Sequence, residues 1–203
     1  VTARSISALV LCGGSGSRLG GVDKPLQPLA DRPLIERVLE RLAPQVMDIA
    51  ISANRHVEQY AGYGLLVIGD GRWADCGPLA GLAAGLEAAN TDDVLCVPGD
   101  APLLPDDLLA RLDAARTQRR ADLAYAEDHA GPQPLCCLVP RALLGDLVAY
   151  LEAGGRTPRD WFARHAAVAA PFPEWPLWAW SANTPDEWLN AERRLSDTLI
   201  ASE

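Results

Sequence analysis

The chain has 203 residues, 49% of them hydrophobic, and a formal net charge of −9. That length and composition suit one domain with a full core. The acidic balance excludes nucleic acid or an anionic membrane surface as the expected partner, so an anionic substrate must be met by local cations or a metal. The first element is the apolar run Ala8-Leu9-Val10-Leu11-Cys12, which breaks into Gly13, Gly14, Gly16, Gly20 and Gly21. An apolar run followed by glycines predicts a buried strand emptying into a turn. Glycines let backbone amides approach an anion closely, and successive N–H groups form an anion-binding nest. Arg18 lies inside this stretch and Lys24 closes it. Lys24 is the only lysine, the other 17 basic residues being arginine. A compact charge on a flexible stem suits a phosphate oxygen differently from a planar fork; the alternative is an ordinary surface lysine.

Three phosphate loops compete for this pattern. The Walker loop requires G-x-x-x-x-G-K-[ST], and Lys24 stands between Asp23 and Pro25 instead. The dinucleotide loop requires G-x-G-x-x-G, and here the third glycine is displaced to Gly20. The third pattern is L-x-G-G-x-x-x-R-x-G-G-x-D-K, which Leu11 to Lys24 match.

Beyond the loop, Pro33 suits a first helical turn and Leu34, Ile35, Val38, Leu39 and Leu42 repeat at helical spacing up to Pro44. A second strand over Val46 to Ser52 delivers Ser52, Ala53, Asn54 and Arg55 to its end. A short helical segment, His56 to Ala61, precedes a third strand, Leu65 to Ile68, ending at Gly69-Asp70-Gly71. Alternating strands and helices predict a parallel sheet, with ligands bound beyond the carboxyl ends of its strands. The glycine loop, Asn54 and Asp70 are therefore expected to converge; for Asp70 a plain turn role stays open. A helix over Leu79 to Ala89 carries Gly81 and Gly85 on one face, for close packing on the sheet or for the close approach of a nucleotide. Val94 to Val97 reads as a central strand and ends in Pro98-Gly99-Asp100-Ala101-Pro102. A carboxylate at that tip is the expected magnesium ligand, because magnesium takes one or two carboxylates plus phosphate oxygens and water; the alternative is a turn before Pro102.

A helix over Leu108 to Gln118 follows, then strands over Asp122 to Ala126 and Leu135 to Val139. The loop from His129 to Gln133 between them is placed to reach an acceptor, although His129 lacks neighbours that would make it a base. Arg141 to Glu152 is a helix, and Thr157 caps a short one that begins at Pro158. Arg156 reads equally as an anion contact or a surface arginine. Trp175, Trp178 and Trp180 suit core packing, or an aromatic wall for a flat ligand. Thr184 and Glu187 form a capping box for a last helix. Of the five cysteines, Cys12, Cys96, Cys136 and Cys137 lie in apolar runs and all five are expected to be reduced thiols. His56, His129 and His165 lack zinc-ligand spacing. With no apolar run of membrane-span length and no signal pattern, the expected location is cytoplasmic.

The loop pattern resembles the signature of nucleotidyltransferases that activate a phosphorylated acceptor with an NTP, and more narrowly the MobA-like family of molybdenum-cofactor guanylyltransferases. The likeness extends through Ser52-Ala53-Asn54-Arg55-His56, Asp70, Gly77-Pro78-Leu79-Ala80-Gly81, Pro98 to Pro102 and Asn183-Thr184-Pro185-Asp186-Glu187. It implies a single three-layer α/β/α Rossmann-like domain with a mostly parallel central sheet, of the nucleotide-diphospho-sugar transferase kind. Residues 5–100 would form the nucleotide-binding half and 101–203 the acceptor-binding half. It implies nucleotide contacts at Leu11, Cys12, Gly13, Gly14, Ser52, Asn54 and Asp70, phosphate contacts at Arg18 and Lys24, and magnesium on Asp100. The implied substrates are GTP and a molybdopterin-type cofactor, with transient contact with molybdoenzyme maturation proteins. Ser52 stands where the family often has Asn, Gln133 where His is common, and Ser181 in place of an Asn. Leu11-Cys12-Gly13-Gly14 differs from the L-A-A-G of related cytidylyltransferases and favours GTP over CTP. Transfer from CTP or to a sugar phosphate, a nicotinamide oxidoreductase, and a non-catalytic nucleotide-binding regulator remain the alternatives.

Overall fold

The computed structural model describes residues 5–12, 23–175 and 184–200. In chain order the elements are β1 (Ile6–Leu11), β2 (Pro28–Leu29), β3 (Arg32–Pro33), α1 (Leu34–Leu42), β4 (Asp48–Ser52), α2 (Val57–Ala61) and β5 (Leu66–Ile68). They continue with α3 (Pro78–Ala88), β6 (Asp93–Pro98), α4 (Leu108–Arg119), β7 (Leu123–Asp128), β8 (Gly131–Pro140), α5 (Leu144–Glu152), α6 (Pro158–Phe162), β9 (Ala167–Pro171) and α7 (Pro185–Ile200). Seven strands form one sheet in the order β5-β4-β1-β6-β8-β7-β9. β1, β4, β5 and β6 run parallel, β7 and β9 pair in parallel, and β8 is antiparallel to both of its neighbours. β6 is the central strand, as its unbroken apolar sequence predicts, and it is buried along its whole length.

Helices cover both faces. On one, α1 and α4 present Leu34, Ile35, Val38, Leu42, Leu108 and Leu112 to a core that includes Val10, Leu95 and Val97. On the other, α3, α5 and α6 supply Leu79, Leu82, Leu86, Leu147, Leu151 and Trp161 against Leu9, Leu11, Val94 and Cys96. Alternate residues of β1 and β6 thus point into different cores, which is the period-2 geometry of a strand buried on both sides. This is the expected three-layer α/β/α architecture. The sheet also divides at its middle: residues up to Pro98 supply β5-β4-β1-β6, and later residues supply β8-β7-β9.

Two local expectations change. Gln133 lies within β8, because the hairpin turn is shorter than the sequence suggests. The Asp128 carboxylate accepts the N–H groups of Ala130 and Gly131 at 2.7 and 3.1 Å, closing the turn, and Gly131 adopts φ 126°. β9 is a strand that the sequence reading passes over; it pairs with β7 from Leu123↔Ala167 to Glu127↔Pro171. The predicted caps hold: Thr157 Oγ1 accepts the N–H of Asp160, and Thr184 and Glu187 bond each other reciprocally at 2.9 and 3.2 Å. All five cysteines are free thiols, Cys76 half-buried and the rest buried. No helix among the described residues is long and apolar enough to cross a membrane.

Candidate functional site

Four parallel strands end on one rim, and backbone bonds continue the ladder just past their tips. Cys12 N–H donates to the Ser52 carbonyl at 2.8 Å, Ala53 N–H to Ile68 at 2.9 Å, and Gly99 N–H to Leu11 at 2.9 Å. Leu11, Cys12, Ser52, Asn54, Asp70 and Asp100 are thereby gathered on the same edge. Asn54 and Asp70 lock reciprocally: Asn54 Nδ2 donates to Asp70 Oδ2 at 2.6 Å, and the Asp70 N–H donates to Asn54 Oδ1 at 2.8 Å. Ser52 Oγ approaches the other Asp70 oxygen at 3.4 Å. Asp70 precedes a 3-10 turn, Gly71–Trp73, but makes no side-chain cap to it. Its carboxylate is oriented by the neighbouring strand tip, not by its own turn.

Asp100 follows β6, and Lys24 opens a 3-10 turn, Lys24–Leu26, with Pro25 in the position that suits its fixed φ. Lys24 Nζ lies 3.5 Å from Asp100 Oδ2, with side-chain exposures of 18% and 22%. The pair is thus reachable from solvent. Gly99 makes this approach possible. A Cβ there would lie 2.5 Å from Cys12 Sγ and 3.2 Å from both the Leu11 carbonyl and Pro25 Cγ, so only glycine lets the β6 tip nest between β1 and the Lys24 turn. Gly13, Gly14 and Arg18 lie outside the described residues.

Beneath the rim sits a small polar cluster that the sequence reading missed. Tyr60, fully buried, donates its hydroxyl to Asp23 Oδ1 at 2.8 Å, and Asp23 is itself only 8% exposed. Burial pushes the Cys12 thiol far above its ordinary range; the Tyr60 hydroxyl bond opposes this, and the Asp23 and Asp100 carboxylates add to it. Burial, then Cys12 and Asp23, likewise keep Tyr60 protonated. Cys12 is therefore a neutral packing and hydrogen-bonding group at this edge. Asp23 and Tyr60 are far apart in sequence, and nothing in the sequence pattern joins them.

Other sequence candidates sort into structure or stay apart. Gly81 and Gly85 are packing positions: a Cβ on Gly81 would lie 2.5 Å from Ser52 Oγ and 2.8 Å from Leu11 Cδ2, and one on Gly85 would strike Leu9. Arg156 donates to the Leu151 and Gly155 carbonyls at 2.9 and 2.6 Å and so closes the end of α5. Gln133 donates to Asp128 at 3.2 Å, and His129 is exposed at the hairpin tip. Trp175 packs against the first core; Trp178, Trp180, Ser181 and Asn183 lie outside the described residues. Among the described residues no group of three or more His, Cys, Asp or Glu is arranged to hold a metal ion by itself.

Residues 8–168 match the family described as the MobA-like NTP transferase domain. A molybdenum cofactor guanylyltransferase of Burkholderia vietnamiensis is 46% identical over 177 residues, covering 83% of this chain and 86% of that protein. One from Shewanella halifaxensis is 40% identical over 182 residues, covering 90% and 91%. Among solved structures, molybdopterin-guanine dinucleotide biosynthesis protein A from Archaeoglobus fulgidus superposes with a TM-score of 0.77 over 94% of this chain and 99% of that one; at 23% identity the likeness is one of fold.

Proposed function

This chain belongs to the MobA-like NTP transferase family, and from that premise we propose that it transfers GMP from GTP to the terminal phosphate of a molybdopterin-type molybdenum cofactor. Pyrophosphate leaves, and the product is the guanine dinucleotide form of the cofactor. The observation that carries the reading is the rim of the sheet: an Asp100–Lys24 pair past the central strand tip, 3.5 Å apart, and on the same rim, past β5, an Asp70 carboxylate held by Asn54.

In this reading the acceptor's phosphate oxygen attacks the α-phosphorus in line. One P–O bond forms there as the bond from the α-phosphorus to the bridging oxygen breaks. Both reactants are anionic, so charge neutralisation and alignment are the main tasks. A phosphate monoester is largely ionised near neutrality, and the site accordingly needs no dedicated base. Lys24 places an ammonium on the pyrophosphate side, and the family likeness of the loop assigns further phosphate contacts to Arg18, Gly13 and Gly14. Asp70, held by Asn54 and Ser52, accepts from the guanine edge, while Leu11 and Cys12 line the base and ribose.

Asp100 would hold a magnesium ion. The donor set fits: one hard carboxylate at a partly open strand tip, which leaves the other positions to phosphate oxygens and water. A magnesium ion bound there acts as a Lewis acid that offsets charge on the phosphate oxygens. We assign residues 5–100 to the nucleotide and 101–203 to the acceptor, and expect the reaction to occur in the cytoplasm, with transient hand-over to molybdoenzyme maturation proteins. The test is a pyrophosphate-release assay with each of the four NTPs, magnesium and the pterin cofactor. Release with GTP alone among them is expected; release with CTP, or only with a sugar phosphate as acceptor, would replace this reading.

A further inference from the structure

Asp23 and Cys12 are the residues that flank positions 13–22 in sequence, and both meet the same side chain, Tyr60. Tyr60 is the one buried residue of α2, and a buried phenol requires a hydrogen-bond partner. It finds one in Asp23 Oδ1 at 2.8 Å and has the Cys12 thiol within hydrogen-bonding reach. Asp23 is held a second time through its backbone: its carbonyl accepts the Leu26 N–H at 3.1 Å and Gln27 Nε2 at 3.4 Å. Lys24 therefore springs from a residue fixed on both sides, and its own carbonyl accepts the Gln27 N–H at 2.9 Å. Phenylalanine would fill the same space in the core but leave the Asp23 carboxylate, almost fully buried, without this donor.

We propose that Tyr60 is a positioning residue for nucleotidyl transfer: its hydroxyl, by pinning Asp23, fixes the turn from which Lys24 reaches Asp100 and the phosphates. The proposal rests on the reading of Lys24 as the phosphate-side cation. It differs from a packing role in what it predicts for the Lys24 turn and for coupling between the two residues.

The experiment combines hydrogen exchange with a double-mutant cycle on the full chain. Tyr60→Phe should speed exchange of the Leu26 and Gln27 amides about tenfold while β6 amides keep their wild-type protection. Asp23→Ala should do the same, whether or not Tyr60→Phe is added, and Asp23→Asn, which keeps the acceptor, should retain most of the protection. In GTP-dependent pyrophosphate release, Tyr60→Phe should lower kcat/KM per folded molecule about tenfold, but less than about twofold in a Lys24→Ala background. Equal losses in both backgrounds, or wild-type exchange at Leu26 and Gln27 in Tyr60→Phe and Asp23→Ala, would overturn the proposal. Should wild type release no pyrophosphate with any nucleotide, the proposed function fails on its own, and the exchange measurements still decide the role of Tyr60. If Tyr60→Phe does not fold, Asp23→Ala carries the same test.

Discussion

Asp93 and Asp100 stand at opposite ends of β6, and each meets a cation in a different way. At the amino end, Arg116 grips Asp93 with two bonds of 2.6 and 2.9 Å, both side chains are 5% exposed, and Asp113 adds a third bond at 3.0 Å. The bond to Asp93 raises the Arg116 pKa, partly against the effect of burial. A planar fork on a carboxylate engages both of its oxygens in a fixed geometry. At the carboxyl end, Lys24 stands 3.5 Å from one oxygen of Asp100, at an edge that solvent reaches. A buried, fork-bound carboxylate thus opens the strand, and a carboxylate beside a solvent-reached lysine stands just past its other end. The cation type tells them apart: a planar fork fixes the geometry of its pair, whereas a point charge on a flexible stem does not.

The largest effect should come from breaking the closed end. Arg116→Ala removes both charge-assisted bonds from the buried Asp93 carboxylate and should cost about 3–5 kcal/mol of stability in chemical denaturation, with kcat per folded molecule retained. Asp100→Asn should do the reverse: melting close to wild type, but a transfer rate lower by a few hundredfold, roughly 3 kcal/mol of lost transition-state stabilisation. Two glycines on α3 sharpen the contrast. Gly81→Ala and Gly85→Ala both overpack the helix against β1 and should each cost about 1–3 kcal/mol. Only Gly81→Ala, which presses on Ser52 beside Asp70, should also raise the KM for GTP. The smallest effect is Lys24→Arg: it keeps the charge but substitutes a fork, and should lower kcat/KM about tenfold with no change in melting. An equal drop in activity from Arg116→Ala, measured per folded molecule, would dissolve the distinction between the two ends.

The half of the sheet built by residues up to Pro98 was legible because its signals are local. β1, β4, β5 and β6 are short apolar runs that end in glycine or polar residues, and parallel pairing puts those ends on one rim. The sequence pattern places Asp70, Asn54 and Asp100 there, and the structure brings them to that rim. The far half was harder for identifiable reasons. β9 reads Ala-Val-Ala-Ala-Pro and lacks the bulky β-branched residues that mark a strand; its pairing with β7 determines it. The shift of Gln133 into β8 depends on the Asp128 side chain closing a turn. The choice between packing and ligand approach for Gly81 and Gly85 depended on what faces them, which is Leu9, Leu11 and Ser52. The Tyr60–Asp23 bond joins residues 37 apart, and no spacing rule anticipates it.

The most direct test is a crystal of the full chain soaked with GTP and manganese, read by anomalous scattering. A manganese peak bonded to an Asp100 oxygen, with the triphosphate within reach of Lys24 and the base at Asp70, is the predicted result. Nucleotide or metal density at the amino end of the sheet, beside Asp93 and Arg116, would contradict it.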